Sequence, residues 1–337
     1  MSVYNNVLET IGNTPLIRLN HFSKKLNLNV YAKVEGYNPG HSAKDRIALY
    51  MIQRAEKQGK IKPGATIIEA SSGNTGFAIA MVCAIKGYHA LITVSSKISS
   101  EKLNQLRAMG AEVIVCPKSA KPEDPRSYYS QAKQKAREIP NSFYLNQNFN
   151  IDNPNAHYHT TGPEIWNQSN GAITHFICTS GTGGTISGTG SYLKEQNPDV
   201  QVIGIDAYGS IIKKYHETGM IDETENYSNT LEGVGKSIVP SNVKFDVIDE
   251  FIKVTDKGSA LRARELAKTE GLLVGYSAGS VLEGLIKLRD RFTVNDYLVL
   301  LFSDHGSKYI GKIYDDQWME EHGFLEPEYC LKEPITI

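Results

Sequence analysis

Three short stretches of this chain combine residue types that do chemistry. Asn38-Pro39-Gly40-His41-Ser42-Ala43-Lys44-Asp45-Arg46 is a turn-forming run that opens into a helical pattern from Ile47 to Lys60. Ser42 is expected to cap that helix, with Asp45, three residues on, completing a box-like pair. Lys44 then falls in the first turn, where the positive end of the helix dipole lowers an amine's pKa. A neutral lysine amine is what Schiff-base chemistry requires. The bland alternative is a solvated surface lysine, the usual fate of this residue type and the one that suits Lys33 and Arg46.

The second stretch, Gly181-Thr182-Gly183-Gly184-Thr185, joins an apolar run, His175 to Thr179, to a helical pattern, Ile186 to Lys194. Its glycines let the backbone curl into a nest of N–H donors, and Thr182 and Thr185 add hydroxyls, which favours phosphate binding over a merely flexible turn. The dinucleotide fingerprint fails, because Ile186 stands where its third glycine belongs. Gly235-Lys236-Ser237 ends like a Walker loop, but Thr230 replaces the leading glycine and no apolar strand precedes it. A phosphate held by backbone amides is left.

The third stretch, Gly275-Tyr276-Ser277-Ala278-Gly279, matches the G-x-S-x-G elbow of α/β-hydrolases, set between an expected strand, Leu272 to Val274, and a helix, Val281 to Leu288. A serine hydrolase using Ser277 is therefore an alternative of a different class. Against it, the available acid and histidine pairs, Asp304 with His305 and Asp316 with His322, crowd near the chain end, and little chain follows Ser277 for further strands.

These stretches share one grammar. Thr66-Ile67-Ile68 meets Ser71-Ser72-Gly73-Asn74-Thr75-Gly76 before a helix, Phe77 to Ile85. Ala90 to Val94 meets Ser99-Ser100-Glu101 before a helix running to Gly110, and Glu112 to Val115 follows as a strand. Strand, small-residue loop and helix in repetition mean α/β architecture with mostly parallel sheets, whose ligands gather at the strands' carboxyl ends. The 337 residues exceed about 150, which suggests two lobes. Residues 117–140 form a softer charged region, and 146–154 a crossover between lobes.

Composition narrows the function. Lys plus Arg number 36 against 37 Asp plus Glu, so neither nucleic acid nor an acidic or basic partner is indicated. Cys83, Cys116, Cys178 and Cys330 are far apart, without metal-ligand or dithiol spacing, and fit a reducing cytoplasm. His157-Tyr158-His159 has no carboxylate or cysteine at ligand spacing, so no metal is expected. Met1 to Asn6 lacks a signal peptide's character, and no run reaches membrane-spanning length.

With Lys44, the Asn74 loop, the glycine nest and the Ser277 turn together, the chain resembles the fold-type-II pyridoxal-phosphate enzymes, and within them the cysteine synthase and cystathionine β-synthase family. The resemblance runs from Ile11-Gly12-Asn13-Thr14-Pro15-Leu16 to Asp316-Gln317-Trp318-Met319 and Gly323-Phe324. It implies a fold like that of the tryptophan synthase β subunit, with two lobes, each a mostly parallel twisted sheet with helices on both faces. Residues 44–150 would form a smaller mobile lobe, and 1–43 with 151–337 a larger cofactor-binding lobe. The cofactor implied is pyridoxal 5'-phosphate, joined to Lys44. Asn74 would meet its 3-hydroxyl oxygen, Gly181, Thr182, Gly183, Gly184 and Thr185 its phosphate, and Ser277 its ring nitrogen. Ser71, Ser72, Asn74, Thr75 and Gln147 would clamp the substrate carboxylate, with Gly233 of Glu232-Gly233-Val234-Gly235 at the mouth.

The implied reaction is β-replacement or β-elimination on serine-like amino acids through an α-aminoacrylate, with thiol or sulfide as second substrate. Asp206-Ala207-Tyr208-Gly209-Ser210 and the Trp318 to Phe324 ending look more like cystathionine β-synthases than O-acetylserine sulfhydrylases. Serine or cysteine with homocysteine is thus expected, and O-acetylserine with sulfide, or cysteine alone releasing hydrogen sulfide, is the alternative. A cytoplasmic homodimer is expected. Asn148 stands where the family usually has an aromatic, with Phe149 one place later, His41 replaces a common glycine, and Ser303 a common proline. The haem-ligating arm and regulatory domains of animal relatives are not seen, so control through them is not expected.

Overall fold

The computed structural model describes residues 3–121 and 123–325, which leaves Cys330 and Pro122 outside the described residues. Its strands are β1 (Leu16–Arg18), β2 (Asn29–Val34), β3 (Thr66–Ala70), β4 (His89–Ser95), β5 (Glu112–Cys116), β6 (Ser142–Tyr144), β7 (His175–Thr179), β8 (Gln201–Ala207), β9 (Glu250–Val254) and β10 (Tyr297–Phe302). They form a six-stranded sheet, β1-β2-β10-β7-β8-β9, and a four-stranded sheet, β5-β4-β3-β6. Every pairing is parallel except β1 with β2. β1 and β2, from the first 43 residues, thus lie in the same sheet as strands from the chain's second half.

Parallel strands buried on both faces need apolar residues at successive positions, and β10 shows why. Leu298, Leu300 and Phe302 enter one core, while Val299 and Leu301 enter the core on the opposite face. The four-stranded sheet repeats this, with Ile67 and Ile92 on one side and Ile68 and Leu91 on the other.

The helices are α1 (Asn20–Leu26), α2 (Lys44–Lys57), α3 (Asn74–Lys86), α4 (Ser100–Ala108), α5 (Tyr128–Glu138), α6 (Asp152–His159), α7 (Thr161–Gln168), α8 (Gly184–Gln196), α9 (Ile212–Thr218), α10 (Asp256–Glu270), α11 (Tyr276–Lys287) and α12 (Asp316–Glu321). α1, α10, α11 and α12 cover one face of the larger sheet, and α7, α8 and α9 the other. α2, α3 and α4 cover one face of the smaller sheet and α5 the opposite one. Fold class and helix placement match the sequence reading.

Ser42 stands one place before the assigned cap residue, Ala43, and its Oγ accepts the Lys44 N–H at 3.3 Å, so it serves the start of α2 as expected while its backbone bridges to Asp304. Two local expectations are corrected. The helix starts at Lys44 and ends three residues early at Lys57, where Gly59 at φ +66° lets Lys60 N–H reach back to the Ala55 carbonyl. Leu272 to Val274 is not a strand. Val274 makes one isolated bridge with His305, and the Leu273 and Gly275 backbone bonds the loop after β10, to Gly306 and Asp304.

Candidate active site

The carboxyl ends of strands from both sheets converge on one cavity of about 310 Å³. β3 delivers Ser71 to Thr75, β7 delivers Thr179 to Thr185, β10 delivers Ser303 and Asp304, and the turn before α2 delivers Lys44. Ser277, from the start of α11, and Gly233 complete the wall. The residues expected to hold cofactor and substrate all line this cavity except Gly184, which is packed behind it as the first residue of α8.

Lys44 is the first residue of α2, and its amine makes no hydrogen bond or ion pair among the described residues. Burial is the main force pushing its pKa down from the usual lysine value, and Lys236 adds to it, against Cys178 and Asp304. The result is an amine biased toward the neutral nucleophile.

The glycine loop is shaped by contacts that no side chain would allow. A Cβ at Gly181 would come within 2.6 Å of the Gly233 carbonyl oxygen, and one at Gly184 within 1.9 Å of Asn153 Oδ1. Gly183, at φ +82°, leaves no room beside Val243. The loop opens α8 without a side-chain cap, so that its first backbone N–H groups stay available to an anion. Behind it, His157 is fully buried, its Nδ1 2.8 Å from Thr161 Oγ1 and its Nε2 3.1 Å from Thr185 Oγ1. Burial drives its pKa down to about 3, so it stays neutral and holds the threonine in place. His157 therefore supports the loop from α6, while His159 stacks on Tyr50; among the described residues no group of three or more His, Cys, Asp or Glu could hold a metal ion.

The loop from Ser71 to Thr75 is equally fixed. Ser71 Oγ accepts from the N–H groups of Gly73 and Gly76, both at 3.3 Å, which leaves its own proton to donate. Ser72 Oγ accepts from Ser95 N–H at 3.0 Å. Thr75 donates to Gln147 Oε1 at 2.6 Å. The Gln147 carbonyl accepts from Asn153 and Asn242, each at 2.7 Å, and its N–H donates to buried Glu69. Asn148 lines the cavity and is buried, whereas Phe149 is 48% exposed and does not restore the missing aromatic.

Asn74 sits in a network that sequence reasoning missed. Its Oδ1 accepts from Lys308 Nζ at 2.7 Å, and its Nδ2 donates to Asp304 Oδ2 at 2.7 Å, which also accepts from Tyr309 at 2.8 Å. A flipped amide would aim its NH₂ at an ammonium and its oxygen at a carboxylate, so the orientation is fixed and one N–H is left over. At the mouth, Glu232 is held by Lys102 and Lys312. Burial works to raise its pKa, but the two ammonium groups outweigh that and keep it ionised. Lys102, Asp304, Lys308, Tyr309 and Lys312 come from sequence positions far from the lysine and glycine motifs, and only the short His305 neighbourhood carried a hint of Asp304.

The hydrolase alternative is not supported. Ser277 opens a helix with no strand before it, and no histidine hydrogen-bonds it among the described residues. What the walls fit instead is a phosphorylated ring bearing a carbonyl: an unpartnered amine, an uncapped helix start behind a glycine cradle, and a hydroxyl at the second residue of α11.

Comparison with known proteins agrees. Residues 7–304 match the family described as pyridoxal-phosphate dependent enzyme. The cystathionine β-synthase of Dictyostelium discoideum is 41% identical over 98% of this chain and 66% of its own length, and that of Rattus norvegicus 40% identical over 98% and 58%. The chain thus spans about three fifths to two thirds of these relatives. Cysteine synthase 1 of Neurospora crassa is 36% identical over 96% of this chain and 87% of its own. Among solved structures, a hydrogen sulfide-producing enzyme from Fusobacterium nucleatum matches with a TM-score of 0.83 at 34% identity, covering 91% of this chain and all of that one. An O-ureido-L-serine synthase matches at 0.85 and 29%, covering 95% of this chain and all of that one.

Proposed function

From the premise that this chain belongs to the pyridoxal-phosphate dependent enzymes, we propose that it replaces the β-hydroxyl of serine, or the β-thiol of cysteine, with the sulfur of homocysteine to give cystathionine. Lys44 carries this reading, as a buried amine without a partner in the wall where the loops from both sheets meet. When bound there, the cofactor supplies the carbonyl that captures an amino group and a ring that draws electrons from Cα.

The protein's part follows from its own groups. The Gly181 to Thr185 loop and the α8 start would hold the phosphate, Ser277 would face the ring nitrogen and the spare Asn74 N–H the ring hydroxyl oxygen. Ser71, Ser72, Thr75 and Gln147 would orient the substrate carboxylate, with Gly233 closing the mouth. Lys44 would take the α-proton and deliver it to the departing hydroxyl, which leaves as water. A hydroxyl at the ring nitrogen cannot stabilise a protonated ring as a carboxylate would, so charge is better relieved by expelling the β-substituent than by retaining it on the ring. Residues 44–150 would form a lobe that closes over the carboxylate and excludes water. We further assign the protein to the cytoplasm as a homodimer, a location that suits the free thiols of Cys83, Cys116 and Cys178.

The test is a substrate panel. Serine, cysteine and O-acetylserine are each crossed with homocysteine and sulfide, and products are identified by mass. Cystathionine from serine or cysteine with homocysteine is expected. Turnover confined to O-acetylserine and sulfide, which the resemblance to the Neurospora cysteine synthase favours, would replace the reading with cysteine synthesis.

A further inference from the structure

A second cavity of about 720 Å³ adjoins the first and shares with it Ser72, Lys102, Tyr128, Tyr129 and Glu232. It occupies the carboxyl ends of β4 and β5, beyond the loops assigned to the cofactor and the amino acid. Four lysines line it, Lys97, Lys102, Lys118 and Lys312, and Glu232 is its one acidic lining residue among the described residues. Lys102 and Lys312 already share that glutamate. Lys97 and Lys118 make no ion pair among the described residues, and one glutamate cannot neutralise both Lys102 and Lys312, so three of the four positive charges in the chamber wall are left over. On a chain whose formal net charge is -1, this concentration is local rather than a reflection of composition.

The backbone adds to the field. Ser99 and Ser127, both in the chamber wall, are the N-caps of α4 and α5, so that the positive ends of two helices lie in the same wall as the lysines. Any molecule bound for the inner cavity by this route passes between like-charged walls that attract anions. The chamber is also more than twice the volume of the inner cavity, more than hydrogen sulfide or a small neutral thiol would fill.

We propose that this chamber admits, besides homocysteine, a further class of nucleophile, thiols carrying two carboxylates, one for the Lys102 and Lys312 side and one for Lys97 and Lys118. This rests on the β-replacement reading and extends its nucleophile range beyond the single carboxylate of homocysteine. In the step itself the hydroxyl leaves Cβ as water with the α-proton that Lys44 carries, the thiol sulfur then forms the new bond to Cβ, and the thiol's proton passes to Cα, so that water is the one by-product. No oxidant or reductant is needed.

The experiment uses the cofactor-loaded enzyme with serine and a charge ladder of 2-mercaptoethanol, 3-mercaptopropionate and mercaptosuccinate, each read by product mass and rate. Dividing wild-type kcat/KM by that of Lys97→Gln/Lys118→Gln for each thiol cancels intrinsic nucleophilicity. That ratio is expected to stay near one for mercaptoethanol and to reach about tenfold for mercaptosuccinate, the factor one charged contact carries. The advantage should shrink as salt is raised, and Lys97→Arg/Lys118→Arg should restore it. A ratio that does not change along the ladder overturns the proposal, as does inhibition by succinate without turnover of mercaptosuccinate, which would make the chamber an anion site only. The visible spectral change on adding serine alone separates the two levels: its loss refutes β-replacement itself, whereas its presence with a flat ladder refutes only the chamber's role.

Discussion

Replacing Lys308 by methionine tests whether Asn74 is held in place for a ligand or merely packed. The ammonium lies 2.7 Å from Asn74 Oδ1 and 3.0 Å from the Gly40 carbonyl, tying the α3 start to the turn that carries Lys44. Methionine keeps the length of the side chain and removes the charge and its donors. A hydrogen bond to a charged group contributes about 1.5–3 kcal/mol. Asp304 and Tyr309 still hold the other end of the amide, so the lower part of that range applies and the cofactor's Kd should rise about tenfold. A second effect has a definite sign. Burial chiefly lowers the Lys308 pKa, and the Lys44 charge lowers it further; by reciprocity, removing Lys308 makes Lys44 easier to protonate. The alkaline midpoint of any Lys44-dependent profile should therefore move upward. Titrating cofactor into the stripped protein by visible absorbance gives the first quantity, and a pH series of the loaded protein gives the second. Lys308→Arg should keep the midpoint near that of the wild type. An unchanged Kd together with an unchanged midpoint in Lys308→Met would refute the argument, since a purely structural lysine would alter thermal stability and neither of these.

Three other outcomes are expected. Lys44→Ala should bind cofactor that gel filtration removes, and turnover should fall by about 10³-fold or more, since nucleophile and proton carrier go together; retained turnover would exclude Lys44 from the chemistry. Gly183→Ala places a methyl 2.3 Å from Val243 Cγ2 at φ +82°, so it should lose about 1–3 kcal/mol by denaturant unfolding and weaken cofactor binding, with no change in fold class by circular dichroism. Glu35 is fully buried with Arg46 Nε at 2.6 Å; burial works to raise its pKa, but Arg46 and Lys33 bring it down to about 2 from 4.5. A depressed acid contributes its stability above the unfolded pKa and loses it as pH falls, here between about 4.5 and 2, by about 3 kcal/mol, a slope that Glu35→Gln should abolish in acid unfolding curves.

The sheets and the backbone-built parts of the site were legible because they are written in neighbouring residues. A glycine loop such as Gly181 to Thr185 needs its glycines where the backbone crowds Gly233, Asn153 and Val243, and that need is visible without knowing what does the crowding. Lys44 was legible as a lysine at a helix start, with Ser42 beside it whose Oγ accepts the Lys44 N–H. The partners of Asn74 were not legible. Asp304 is 230 positions away and Lys308 is 234, and apart from the histidine beside Asp304 nothing in their surroundings separates them from ordinary surface charges until β10 has been threaded between β2 and β7. The G-x-S-x-G match failed for the same reason, since its strand depends on a sheet edge that the loop after β10 supplies only as a single bridge.

That strand insertion also explains why the site can be both rigid and responsive. β10 lies inside the six-stranded sheet, and the loop leaving it carries Asp304 and Lys308, which grip Asn74 on the four-stranded sheet's first loop. Across the mouth, Lys102 from α4 grips Glu232, which Lys312 holds from the other side. The first grip is a pair of 2.7 Å hydrogen bonds on a half-buried amide, one to an ammonium and one to a buried carboxylate, and the charged partners make both costly to break. The second is a partly exposed ion pair of the kind that exchanges readily with water and salt. A closure of residues 44–150 over a bound amino acid would therefore pivot near Asn74 and open at Glu232. High salt should then weaken the mouth before it loosens the cofactor's seat, so that KM for the second substrate rises at ionic strengths where cofactor retention is unchanged. Joint loss of both would show that the two grips act as one, and would remove the basis for a hinge at Asn74.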